Sequence, residues 1–170
     1  MKTKELVRFA IFLAAAVVAS YIEHLIPLPM LFPGAKLGLA NALSLIILFY
    51  FGRSKYFIFG LLRVLISALL FSGFGTTFLI SLGGNILASI VIISLSYYKK
   101  LSIFGLSING AIFHGLGQVI VVSIIYQTFS MINYMVILLI SGIISGFLMA
   151  LVSKLIIEKM PKSYQKSINE

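Results

Sequence analysis

The sequence predicts an all-α integral membrane protein, a bundle of six transmembrane helices with both termini on one side. Three observations carry that expectation. Apolar residues make up 61% of the chain and charged ones 10%, against about 45–50% and about 25% in a soluble domain. The apolar residues gather into six runs of roughly bilayer length. The basic residues fall almost entirely in alternate connectors.

The runs cover about 5–26, 37–52, 56–72, 77–97, 103–127 and 133–157. A helix crosses the ~30 Å hydrocarbon layer in about 20 residues, so the second and third runs are short and the others suffice. No internal repeat is visible and the connectors are too short for a second domain. Residues 1–170 therefore read as a single transmembrane domain.

Run 1 follows MKTKELVR, whose basic and then apolar character also resembles a signal peptide. The apolar pattern continues past Tyr21 into further spans, which favours a retained helix. The run carries Ala10-x-x-x-Ala14, with Ala15/Ala19 and Ala16/Ser20 as overlapping pairs. Small residues four apart let another helix backbone approach closely. Run 6 carries Gly142-x-x-x-Gly146 with Ser141, Ser145 and Ala150. Spacing leaves two readings open for both stripes: packing within the bundle, or docking of another membrane protein.

Run 2 is fed by LFPGAKLGLAN, residues 31–41, after Pro27 and Pro29. From Leu37 to Phe51 a helix covers only about 21 Å. A Pro/Gly loop dipping into the outer mouth, with helix 2 starting below the surface, would make up the difference. Irregular backbone is tolerated at that depth where it lines a cavity. The helix N-terminus, with Lys36 beside it, would then offer free N–H groups and positive charge. An ordinary proline-rich interfacial turn is the plainer reading.

Run 3 contains Arg63, a placement that costs about 2.5–3.5 kcal/mol on insertion scales. Arg63 would lie about 10 Å above the inner end of its span. Snorkelling to the headgroups, a partner subunit, or an anionic ligand each accounts for it, and no intramembrane acid stands out as its counter-ion. Run 4 contains Asn85 after Gly83 and Gly84; run 5 contains Asn109, His114 and Gln118. Asn85, His114 and Gln118 would lie about 12–18 Å below the outer surface, with His114 and Gln118 on one face. Each is equally a packing residue satisfied by a neighbouring helix, and Asn109, near the inner end, reads as structural.

The charges orient the bundle. Lys2, Lys4, Arg8, Arg53, Lys55, Lys99, Lys100, Lys154, Lys159, Lys162 and Lys166 fall on one side of an alternating chain, leaving Lys36 on the other and Arg63 within. Positive residues collect on the cytoplasmic side, so both termini are expected in the cytoplasm and the protein in the cell membrane. The net charge of +9 is then a rim facing lipid headgroups, which removes nucleic acid as a partner. Seven of the eight tyrosines sit near run ends, where amphipathic rings favour the interface.

PGAKLGLAN, the NGAIFHGLGQ stretch at 109–118, the six spans and the alanine motif of helix 1 together resemble the family called heptaprenyl diphosphate synthase component I, or Gx transporters. More broadly, the chain resembles the substrate-binding (S) subunits of energy-coupling factor (ECF) transporters. That resemblance implies a small-molecule substrate taken into an outward-facing cavity. It also implies a transmembrane coupling subunit, contacted through Ala10, Ala14, Ala15 and Ala19, and cytoplasmic ATPases. The chain lacks a Gly-x-x-x-x-Gly-Lys-[Ser/Thr] loop, so no cofactor is expected on it and ATP would be hydrolysed by partners.

The enzymatic part of the family's name meets an obstacle. Prenyl diphosphate synthases hold diphosphate through magnesium bound by aspartate-rich motifs, since hard cations need clustered oxygen anions. This chain has no aspartate, and its acids are Glu5, Glu23, Glu158 and Glu170. No catalytic residue and no metal site is expected. The sequence favours a substrate-binding transport subunit whose cavity includes Lys36, Asn41, Arg63, Asn85, His114 and Gln118, with Glu23 and His24 at the rim. The alternative is a non-catalytic membrane accessory subunit of a heptaprenyl diphosphate synthase, contacting a soluble prenyltransferase.

Overall fold

A computed structural model describes residues 3–25, 38–98, 101–127 and 135–160. Among them run six helices and no strand: α1 (Thr3–Leu25), α2 (Leu39–Phe51), α3 (Arg53–Ser67), α4 (Thr76–Leu95), α5 (Ile103–Tyr126) and α6 (Met135–Lys159). A π-helical turn, Ala68–Ser72, extends α3. Five of these, counting α3 with its extension, are long and apolar enough to span a bilayer; α2 is shorter. The helices match the six predicted runs closely, apart from where α3 begins.

Helix α2 occupies the middle. It packs against α1, α3, α5 and α6, and Leu45, Ile46, Ile47 and Leu48 on successive sides of it are all buried. A helix apolar all round belongs in an interior. Around it the neighbours run α1, α3, α4, α5, α6, with α4–α5 and α5–α6 as the most extensive pairings.

Side-chain size, more than hydropathy, decides which way each outer helix faces. On α6 the buried residues are Gly142, Gly146, Met149, Ala150 and Ser153, while Val136, Ile140, Ile144, Phe147 and Leu155 are exposed. Without a hydrophobic drive between helices in lipid, association rests on close van der Waals contact, which small residues permit. A Cβ on Gly146 would lie 2.8 Å from Ile108 Cα, and one on Gly117 2.6 Å from the Gly83 carbonyl. The Gly142/Gly146 stripe thus packs against α5 within the bundle. On α1 the stripe points the other way, with Ala10, Ala14 and Ala15 exposed, Ala19 half-buried and only Ala16 buried.

The α2–α3 junction corrects the expected start of the third helix. A single residue, Gly52, separates the two helices, at φ 83, a left-handed backbone natural to glycine. Arg53 and Lys55, expected in a connector, therefore lie in the first turn of α3. Arg53 reaches the end of α4, where Nε and Nη2 donate to Ser96 Oγ (2.8 Å) and the Ser96 carbonyl (3.0 Å). Its guanidinium lies 3.8 Å from the Tyr97 ring centroid, a cation–π contact. With α3 starting at Arg53, Arg63 lies about 15 Å along the helix. It is buried inside the bundle.

Candidate functional site

The shortness of α2 creates the site. At 13 residues it covers about 20 Å, while α5 and α6 have 24 and 25 residues. The space above its N-terminus is a cavity of about 170 Å³ to which all six helices contribute. It lies toward the end of the bundle opposite Lys4, Arg53, Lys55 and Lys159.

Arg63, on the α3 wall, is 8% exposed. Its Nη1 donates to Asn41 Oδ1 at 3.2 Å, which ties mid-α3 to the first turn of α2. Glu23, from the last turn of α1, lines the same cavity and accepts a 2.6 Å hydrogen bond from the Leu39 N–H. Helix α2 has no side-chain cap of its own at Gly38, so Glu23 supplies one from α1. A carboxylate there satisfies an orphan donor and suits the positive helix end. Two expectations change as a result. The α2 N-terminus is not a set of free N–H groups: Leu39 donates to Glu23, and the N–H groups of Asn41 and Ala42 turn back to the Gly38 carbonyl (2.8 and 3.1 Å). Nor is Arg63 without an acid nearby, because Glu23 lines the same cavity.

The remaining predicted residues divide. His114, half-buried, and Gln118, buried, stand on one face of α5 and line the cavity, and His24 lies at its edge against Phe71 (6.3 Å between ring centroids). Asn85 does not line it. Its amide lies against Gly60, where an added Cβ would come within 2.6 Å of Asn85 Oδ1. It borders a deeper void of about 20 Å³ with Tyr56, Ser107 and others, adjoining the cavity where Asn41 and His114 line both. Asn109 donates to the Gly105 carbonyl of its own helix (2.8 Å), a structural role. Lys36 and most of the Pro/Gly loop lie outside the described residues.

Sequence reading missed the hydroxyl lining. Ser20, Ser67, Ser72, Thr77, Ser81, Ser141 and Ser145 all border the cavity. Ser67, four residues beyond Arg63, was open to inference from helical spacing. Ser141 and Ser145 were noted only as small residues; their hydroxyls donate to the Leu138 and Gly142 carbonyls (3.0 and 3.3 Å). Among the described residues no cluster of His, Cys, Asp or Glu is suited to a metal ion.

The arrangement is a small pocket whose largely apolar walls carry a few polar groups and the charged side chains Glu23 and Arg63. Ligand pockets commonly occupy about 300–1,000 Å³, so this cavity suits a molecule at or below the small end of that range.

No curated protein and no solved structure matches the chain significantly. The family model described as heptaprenyl diphosphate synthase component I matches residues 12–156. With that match spanning most of the bundle and every wall of the cavity, the chain belongs to the heptaprenyl diphosphate synthase component I family.

Proposed function

We propose that this chain is a non-catalytic membrane component that binds a small anionic molecule in the cavity above α2. The observation that carries the proposal is the buried Arg63 side chain on the wall of a cavity lined in part by hydroxyl and amide groups. A charge held at that depth is expensive and typically functional. Glu23 balances part of it from the α1 wall; an anionic ligand group would supply the rest. Positive-inside reasoning puts the basic end in the cytoplasm and the cavity on the outer side of the cell membrane.

Two processes would use such a component. Membership of the family favours work beside heptaprenyl diphosphate synthesis, with a soluble prenyltransferase docking on the basic rim. The cavity favours uptake, since an anchor has no need of one. In that case the subunit resembles an ECF S subunit, a coupling subunit would meet the exposed Ala10, Ala14 and Ala15 on α1, with Ala19 beside them, and partner ATPases would hydrolyse ATP.

Affinity purification of the full chain from membranes, followed by mass spectrometry of bound proteins and small molecules, tests both. A retained anionic molecule that Arg63→Ala releases supports the binding role. A copurifying prenyltransferase selects the first process, and a coupling subunit with ATPases selects the second. No retained molecule in the wild type would defeat the binding role.

A further inference from the structure

The α3 wall of the cavity holds two buried polar atoms that have no hydrogen-bond partner among the described residues, Arg63 Nε and Ser67 Oγ. The two side chains stand four residues apart, hence on one helix face, and both line the cavity. The other edge of the guanidinium is engaged, with Nη1 on Asn41. Buried donors are rarely left unmade; solvent reaches neither atom in this structure, so a ligand oxygen in the cavity meets them as the two side chains turn toward it.

We infer that Arg63 Nε and Ser67 Oγ form a two-point clamp for an oxyanion, the carboxylate or phosphate-type end of the cavity's ligand. One oxygen accepts from Nε–H and a neighbouring oxygen on the same centre accepts from the Ser67 hydroxyl. A point charge would serve any anion; a planar guanidinium edge matches paired oxygens. The α3 backbone changes character immediately after the clamp, as Gly73 N–H bonds back to the Ala68 carbonyl (2.8 Å). The wider π turn carries Phe71 and Ser72, which also border the cavity, and such turns recur at functional sites. Glu23, held on the α1 side by Leu39, repels an anion from that wall and sets the direction in which the ligand lies.

This inference rests on the cavity being a ligand site. The test uses purified full-length chain in detergent, with thermal unfolding followed against sodium acetate, inorganic phosphate and inorganic diphosphate. Sodium chloride at matched ionic strength is the reference, since specific binding to the folded state raises Tm. The wild type should gain more from at least one oxyanion than from chloride, and the stronger of the carboxylate and phosphate arms identifies the ligand's acidic end. Arg63→Lys, which keeps the charge and loses the edge, should weaken that anion by about tenfold. Ser67→Ala, which removes only an unpartnered hydroxyl and so preserves the fold, should weaken it by a smaller factor. If Arg63→Lys fails to fold, Ser67→Ala carries the test alone, and wild-type affinity in it overturns the clamp. Equal stabilisation by chloride and all three oxyanions also overturns it. A wild type that retains a small molecule on purification, with affinity indifferent to Ser67, refutes the clamp while leaving the binding role intact.

Discussion

Glu23 meets two demands at once: it accepts from the Leu39 N–H and it shares the cavity with Arg63. Glu23→Gln separates the two roles, since glutamine keeps an acceptor for Leu39 and drops the charge. Its thermal stability should stay close to wild type while phosphate affinity rises several-fold. An unchanged affinity would mean that Glu23 does not oppose the bound anion. Gly60 makes a different demand, because a Cβ there would meet the Asn85 amide at 2.6–2.9 Å. Gly60→Ala should destabilise the protein by about 1–3 kcal/mol through overpacking, read as a lower Tm in detergent. At this scale the sequence pointed to the right residue types without their partners. Arg63 was visibly an anomaly, but its bond to Asn41 spans 22 residues and depends on where α2 begins.

Helices were the most legible scale, because a run of apolar residues as long as a bilayer is thick has few other structural uses. The start of α3 was not, because Arg53 and Lys55 look like connector residues until Ser96 and Tyr97 are seen beside Arg53. Basic side chains at a helix N-terminus oppose its dipole; here the Ser96 carbonyl at the end of α4 offsets that for Arg53. The glycine motifs likewise needed structure to be ranked. Gly117 meets backbone of α4, with a Cβ placed 2.6 Å from the Gly83 carbonyl and 2.9 Å from Gly84 Cα, whereas one on Gly142 would sit at an ordinary 3.5 Å from α5. Gly117→Ala should therefore lower Tm markedly and Gly142→Ala only slightly. Equal effects would contradict the close α4–α5 crossing.

On the scale of the whole molecule, lipid serves as the outer solvent. Leu69 and Ile124 are 72% and 70% exposed, an arrangement that water would penalise and hydrocarbon does not. Polarity runs inward instead, toward a cavity left where the short central helix stops. Much of this could be anticipated, since the short second run implied a deficit at one end. The division of the polar residues between an upper cavity and a lower void could not, because hydropathy does not tell Asn85 from Gln118. What distinguishes them is Gly60, which admits the Asn85 amide against α3.

The chain has no cysteine, so a single introduced thiol reports cleanly on the central proposal, that the cavity is wet and is reached from the end away from the basic residues. Ser81→Cys places a thiol on the cavity wall, Ser54→Cys one at the basic end, and Leu69→Cys one on the lipid-facing surface. In intact cells, a membrane-impermeant maleimide should label position 81 alone, and position 54 should react only once the membrane is opened. Labelling of position 54 from outside, or a thiol at 81 as inert as one at 69, would contradict the account.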